Sequence, residues 1–358
     1  MTARSFAFSV IIGASLLLGT TLCANVLTDP QGVFGFGIIA RSADPNWRYL
    51  LFNQYKRDAS LIDGIIFGSS RAAYIDGAAF GDRVGNPQTL RFAVPYGLIT
   101  DHLPLLQYVL NDKRARGEQL KSVLLLLDLD LFGKTPWTNT NINAFLPPAI
   151  SDESAVRFWW RYLTAFQYRK WRDSVRRRYW DAASRQSGAT ENDALVRQSA
   201  VAGFPVIAIG RAGDASRSIQ TAASDQLADE AVALLSHRSR KSWNAERPDL
   251  ARQISYLAQF VEFCRNNNVA LTVATSPMSR ANMEGYPDGE LEALTKKLNR
   301  LTPIWDFSSP KWLADNPSYW ADFSHFSDAV GLLMLDRMFL ENSSTPTDFG
   351  RLRPQLAP

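Results

Sequence analysis

The sequence predicts an α/β domain built on a largely parallel sheet, carrying a helical insertion and tethered by an N-terminal apolar helix. Three observations lead there. The stretch Leu120–Leu127 ends in five consecutive apolar residues, and Ile65-Ile66-Phe67 is a second, shorter run of the same kind. Runs of this length read as strands buried on both faces of a parallel sheet. Between them, a strand at Thr89 to Val94 is followed by a helix with Leu103, Leu106 and Leu110 along one face and then by Leu120–Leu127, so strand, helix and strand follow one another with short connections, the pattern of a βαβ unit. Third, Ser5 to Thr28 contains no charged residue, and Phe6 to Leu22 is strongly apolar, about the length a bilayer-spanning helix requires.

Composition narrows the classes. The chain has 358 residues, 46% hydrophobic and 21% charged, which places it among globular proteins. A net charge of +4 falls short of a nucleic-acid-binding signature, and no helix-turn-helix, zinc-finger or RNA-binding motif accompanies it. The two cysteines, Cys23 in the apolar segment and Cys264 on an expected helix, are not placed to form a structural disulfide. His102, His237 and His325 form no HExxH and no Cys/His cluster, so neither metal nor cofactor is called for.

Taken in order, Arg4 precedes the apolar helix and Asp29-Pro30 ends it, favouring an N-terminus in the cytoplasm and the rest outside. Leu22-Cys23-Ala24 is a poor cleavage site, so residues 1–28 are expected to remain as an uncleaved anchor. Gly35-Phe-Gly37 lacks the third glycine and the preceding strand of a dinucleotide site. Asn46 to Asp58 reads as a helix, Ile62 to Phe67 as the opening strand, Thr89 to Val94 as the second strand and Ile99 to Leu110 as a helix.

An insertion over 134–246 then interrupts the alternation. Its first part, Asp152 to Trp180, interleaves Arg157, Arg161, Arg169, Lys170, Arg172, Arg176, Arg177 and Arg178 with Trp159, Trp160, Tyr162, Phe166, Trp171 and Trp180. Such a helix either packs its aromatics on the sheet with arginines in water, or lies on a membrane surface or an anionic glycan. Ala182 to Ala228 reads as loops and short helices. The alternation resumes with a helix over Pro248 to Asn266, strands at Val269 to Thr275 and Ile304 to Phe307, and helices over Gly289 to Leu301 and Ser327 to Leu340. Residues 29–341 thus form the α/β domain, and 342–358, with its prolines, a flexible tail.

The chemistry-bearing residues sit at two loops. Gly68-Ser69-Ser70-Arg71 follows the first strand, and Asp322-Phe-Ser-His325 precedes the last helix. A nucleophilic serine needs a base within hydrogen-bond reach and a third group to orient that base. An acid and a histidine three residues apart on one loop can supply both. An α/β-hydrolase would require G-x-S-x-G, whereas Gly68-Ser-Ser70-Arg-Ala72 ends in alanine.

Four segments, Phe67-Gly68-Ser69-Ser70-Arg71, Ala93-Val94-Pro95-Tyr96-Gly97, Leu127-Asp128-Leu129-Asp130-Leu131-Phe132 and Asp322-Phe-Ser-His325-Phe-Ser, resemble those of the SGNH (GDSL-like) hydrolases. The resemblance extends to their membrane-anchored DltD-like and AlgJ-like branch and covers residues 29–134 and 248–341. It implies a flavodoxin-like three-layer α/β/α sandwich with about five parallel strands. It further implies Ser70 as nucleophile, His325 as general base, Asp322 as its orienting acid, and the N–H groups of Ser70 and Gly97 as an oxyanion hole. Ser69 stands where the family has an aspartate. Asp128 and Asp130 stand where a Gly-x-Asn is expected, and an ionised carboxylate cannot donate to an oxyanion. Their other reading is to cap a strand end and fix Arg71.

The function implied by this resemblance is acyl-ester hydrolysis or O-acyl transfer on an envelope polysaccharide, without a cofactor. It would take place on the periplasmic face of a bacterial inner membrane, with a multi-pass membrane O-acyltransferase as partner. The alternative is a non-catalytic glycan-binding or assembly subunit of an acylation complex.

Overall fold

The computed structural model describes residues 2–35, 45–86, 88–136, 142–176, 247–287, 289–308, 311–314, 316–322, 324–340 and 345–356. In chain order its principal elements begin with α1 (Ala3–Thr28), α2 (Trp47–Asp58), β1 (Gly64–Gly68), a 3₁₀ turn (Ser70–Tyr74) and α3 (Gly77–Val84). There follow β2 (Thr89–Ala93), α4 (Ile99–Ala115), β3 (Ser122–Leu127) and α5 (Ala155–Thr164). Beyond the insertion come α6 (Leu250–Asn266), β4 (Ala270–Thr275), α7 (Glu290–Asn299), β5 (Ile304–Asp306), α8 (Asp328–Phe339) and β6 (Arg351–Arg353).

The chain separates into two compact units, Met1–Gln54 with Trp137–Val206, and Tyr55–Pro136 with Ile207–Pro358. The first differs from expectation, because the anchor, the connector and the start of the insertion group together. A small core of their own explains it: Val33, Phe158 and Tyr162 are buried together, with Phe34, Tyr49 and Trp159 packed around them. The buried Asn46 amide donates to the Phe145 carbonyl at 2.8 Å and the Tyr162 hydroxyl at 2.7 Å. The aromatics of α5 therefore pack on the connector. The expected helix over Asp152 to Trp180 also breaks, since residues 165–167 are not helical and a second helical segment runs from 168 to 176. Arg177, Arg178, Trp180, the Ala182 to Ala228 stretch and His237 lie outside the described residues.

The second unit holds a six-stranded sheet in the order β2-β1-β3-β4-β5-β6, parallel except at β6. Every residue of β1 and β3 is buried, as expected of central strands covered on both faces. Alternation along the strands sends side chains to opposite sides. Ile66, Leu124 and Leu126 join Phe80 of α3 and Val330, Met334 and Leu335 of α8 in one core. On the other side, the Phe67 ring lies 5.4 Å from Phe260 of α6 and 5.5 Å from His102 of α4.

The chain leaves β1 for β2 on one flank and then crosses to β3 on the other. In open sheets the crevice beyond the carboxyl ends at such a reversal is where ligands bind. Here it is bordered by the segments after β1 and after β3, which carry Ser70 and Asp128-Asp130.

The tail corrects the sequence reading. Arg351–Arg353 pairs antiparallel with β5, and Phe349 is fully buried against Phe307. Arg353 donates to Asp306 at 2.8 Å and to Glu292 at 2.7 Å. Prolines suggested disorder, but one aromatic and one arginine with tertiary partners decide the outcome.

Helix α8 approaches the turn after β1 so closely that a Cβ on Gly331 would lie 2.0 Å from the Tyr74 carbonyl oxygen. Gly331→Ala is expected to push α8 off that turn and cost about 1–3 kcal/mol, read as a lower urea midpoint at unchanged slope.

Candidate active site

Strand β1 ends at Gly68 because nothing larger fits: a Cβ there would meet the Ala72 Cβ at 2.7 Å and the Leu126 carbonyl at 3.1 Å. The chain then turns directly into the 3₁₀ segment. Ser69, buried, caps it by accepting from the Arg71 N–H at 3.2 Å. Ser69 is therefore a turn-former, and Ser70, partly exposed, opens the turn with its hydroxyl free to reach across.

The partner loop is closed by an antiparallel bridge between Trp320 and Phe326 and by an Ala321 N–H donated to the His325 carbonyl at 2.8 Å. Within it, the Asp322 carboxylate accepts from the Ser324 and His325 N–H groups at 2.7 and 2.9 Å and meets His325 Nδ1 at 2.7 Å. The opposite ring nitrogen, Nε2, lies 2.7 Å from Ser70 Oγ. These partners assign the tautomer: Nδ1–H donates to Asp322, and Nε2 accepts the serine proton. Ser324 Oγ, 3.2 Å from Nδ1, supplements the acid. Ser70, Asp322 and His325 are thus brought together across 255 positions of sequence.

Burial raises the Asp322 carboxyl, but the hydrogen bonds from His325 and the loop amides outweigh it and hold the group below the ordinary carboxylate range. Tyr74 flanks the His325 ring at 5.6 Å between centroids. Burial, then Asp322 and Asp328, push its phenol well up, so it stays neutral. No protein-family model matches the chain, and no curated protein matches it.

Arg71 joins this constellation to the sheet. Its buried guanidinium donates to both oxygens of Asp130, at 2.5 and 2.8 Å, and lies 3.3 Å from Asp128. It also donates to Ser276 Oγ at 3.3 Å and, through Nε, to the Ser324 carbonyl at 2.7 Å. The residue after the serine therefore holds the loop that carries the acid and the histidine. Burial disfavours the cation, but Asp130 and Asp128 more than compensate and raise its pKa further. Burial likewise raises Asp130, and Arg71 pulls it below its ordinary 3.8. Asp128 and Asp130 fix Arg71, as their second sequence reading had it. Both Asp128 oxygens are buried without an aligned donor, beside a cavity of about 20 Å³ lined also by Gly97, His102 and Gln253.

Gly97 fits its expected role poorly in this conformation. Its N–H donates to the Val94 carbonyl at 3.0 Å, closing a turn with Pro95 second and Tyr96 third. Tyr96 takes φ +51°, a conformation that such turns normally give to glycine or asparagine, and its side chain is exposed.

Sequence reasoning missed Ser324 and Ser276, because a serine carries no periodic signal. It also missed Tyr286, whose hydroxyl donates to the Asp130 carbonyl at 2.9 Å, and Arg247, which donates to the Leu129 carbonyl at 2.8 Å and to that of Phe132. A lone basic residue before the α6 segment was the only available hint.

Removing Asp130 leaves a buried cation short of its main partner. Asp130→Ala is expected to cost about 3–5 kcal/mol in urea unfolding at neutral pH. Because the folded Asp130 value is depressed, this stability is complete above the ordinary 3.8 and is lost as pH falls through the lower folded value. The gap between wild type and variant should therefore close in acid, and a gap that widened there would contradict the pairing.

Proposed function

We propose that this chain is a serine-dependent acyl-ester hydrolase or O-acyltransferase of the SGNH (GDSL-like) type. The observation that carries the reading is the continuous Asp322–His325–Ser70 relay, with both contacts at 2.7 Å, at the carboxyl end of β1. The order β2-β1-β3-β4-β5, with apolar contacts to helices on both sides, supports a flavodoxin-like three-layer α/β/α sandwich with an added antiparallel edge.

In this reading Ser70 Oγ attacks an ester carbonyl while His325 Nε2 takes its proton. Asp322 holds the ring and stabilises the imidazolium. Collapse of the tetrahedral intermediate expels the first alcohol, which receives the proton from His325. Water or a sugar hydroxyl then gives its proton to His325 and attacks the acyl carbon, and collapse of the second tetrahedral intermediate breaks the bond to Ser70 Oγ, which takes the proton back from His325. The Ser70 N–H, at the start of the turn, is the first oxyanion donor. Gly97 supplies a second only when its bond to Val94 is exchanged.

Helix α1, 26 residues long and almost wholly exposed across its most apolar window, supports a single-pass anchor. With Arg4 before it and Asp29 after it, the remaining chain would stand on the outer face of a bacterial inner membrane, in the periplasm. Resemblance to the membrane-anchored branch adds an envelope polysaccharide as acceptor or substrate and a multi-pass membrane O-acyltransferase as partner.

One observation favours a second reading, a non-catalytic glycan-binding or assembly subunit. Asp128 and Asp130 are committed to Arg71, and the Gly97 N–H to Val94, so oxyanion donors are few. Each missing donor costs about 10²–10³ in rate.

A fluorophosphonate probe separates the two. The enzyme reading expects labelling of wild type, none of Ser70→Ala, and labelling slowed by about 10⁴-fold in Asp322→Asn. Labelling that persists in Ser70→Ala would overturn Ser70 as nucleophile, and a folded wild type that resists the probe would decide for the binding subunit.

A further inference from the structure

We propose that the corner formed by α5 and residues 165–176 is a membrane-interface site that takes anionic lipid headgroups beside the point where α1 leaves the bilayer. This rests on α1 spanning a membrane.

Contacts at Asn25 set the level of the corner. Along α1, Phe6, Phe8, Ile11, Leu16 and Leu17 are each more than 60% exposed, whereas Thr21, Asn25 and Thr28 are buried. The Asn25 amide donates to the carbonyls of Leu163 at 2.7 Å and Ala165 at 2.9 Å, and its oxygen accepts from Trp171 Nε1 at 2.7 Å. From Phe6 to Asn25 an α-helix rises about 28 Å, at 1.5 Å per residue. The hydrocarbon core is about 30 Å thick. Residues 163–171 are therefore held against α1 where its apolar stretch ends, at the height of the headgroups.

The outward side chains suit that height. Phe158 and Tyr162 already bury one face of α5, yet Val156 and Trp160, one turn apart on another face, are 80% and 57% exposed. Phe166 and Tyr168 follow at 68% and 61%. So many exposed apolar side chains in so short a segment mark an interaction surface. Trp and Tyr, with an apolar body and a polar tip, belong at a membrane–water boundary.

Charge gives the lipid class. The exposed cations Arg157, Arg169, Arg172 and Arg176 are interleaved with these aromatics. Asp152, Glu153 and Asp173 are the only acids from 152 to 176, against five arginines and one lysine; Glu153 is held by Arg161 at 2.5 Å and lies 3.6 Å from Arg157, and Asp173 accepts from Arg172 at 2.9 Å, so the segment keeps a net positive charge. Near an anionic leaflet each such cation raises affinity by about fivefold.

The test uses the full chain with Cys23→Ser, leaving the buried Cys264, in vesicles of phosphatidylcholine with phosphatidylglycerol. Nitroxides are placed at Trp160→Cys, at Phe166→Cys and, to report the anchor, at Ile12→Cys. Depth is read from collision with oxygen and with a water-soluble nickel chelate, using free label in buffer as the aqueous reference. The proposal expects interfacial depth at 160 and 166, hydrocarbon depth at 12, and a shift of 160 and 166 toward water when the four arginines become glutamine or the anionic lipid is omitted. A label at 12 in lipid with 160 and 166 in water overturns the proposal and leaves the anchor standing, as does immobilisation at 160 by an anionic polysaccharide alone. Depth at 160 that ignores both arginines and lipid charge overturns the headgroup assignment. A label at 12 in water removes the anchor itself.

Discussion

A single buried guanidinium ties the candidate site together. Arg71 stands one residue after Ser70, and its donors reach the ends of two strands through Asp130 and Ser276 and the acid-histidine loop through the Ser324 carbonyl. Besides that bond, the loop carrying Asp322 and His325 is held by its own bridge, by the Trp320 indole donated to Leu313 and by the rings of His325 and Phe326 against Tyr74. The Ser70–His325 contact demands placement to within a few tenths of an ångström, and a charge-assisted network supplies that better than apolar packing.

Such a network is costly to bury. Desolvation opposes the charges of Arg71 and Asp130, and the bidentate geometry between them, with the nearby Asp128 carboxylate, offsets the cost. Its value lies in specificity of arrangement. The same commitment explains a departure within the site: carboxylates that grip Arg71 cannot also stabilise an oxyanion, so positional precision and oxyanion donors compete for the loop after β3.

The insertion follows a different logic. A basic, aromatic stretch satisfies amphipathic periodicity equally well against a sheet, a membrane or a glycan, because periodicity records only that one face is apolar. The aromatics divide: Phe158 and Tyr162 enter a small core with Val33 of the connector, while Trp160 and Phe166 remain outside. Local spacing contains no term for which partner stands opposite.

Sequence by itself determined the strands and the longer helices of residues 46–134 and 248–341, since apolar runs and helical spacing are local properties that tertiary packing did not override, but it did not reveal the short helix Gly77–Val84. Its short-range patterns also pointed to a serine after the first strand and to the Asp322–His325 pair, and the choice of Ser70 over Ser69 came from the resemblance to the SGNH hydrolases. Tertiary structure decided the rest. It paired Arg71 with Asp130 across 59 positions, set Arg351–Arg353 on the sheet edge where prolines suggested a loose tail, and engaged the Gly97 N–H within its own turn. The first two depend on which distant group fills a hydrogen-bonding or packing position, and that choice is made only when the whole chain is folded; the Gly97 bond is local, but only the backbone geometry at Tyr96 reveals it.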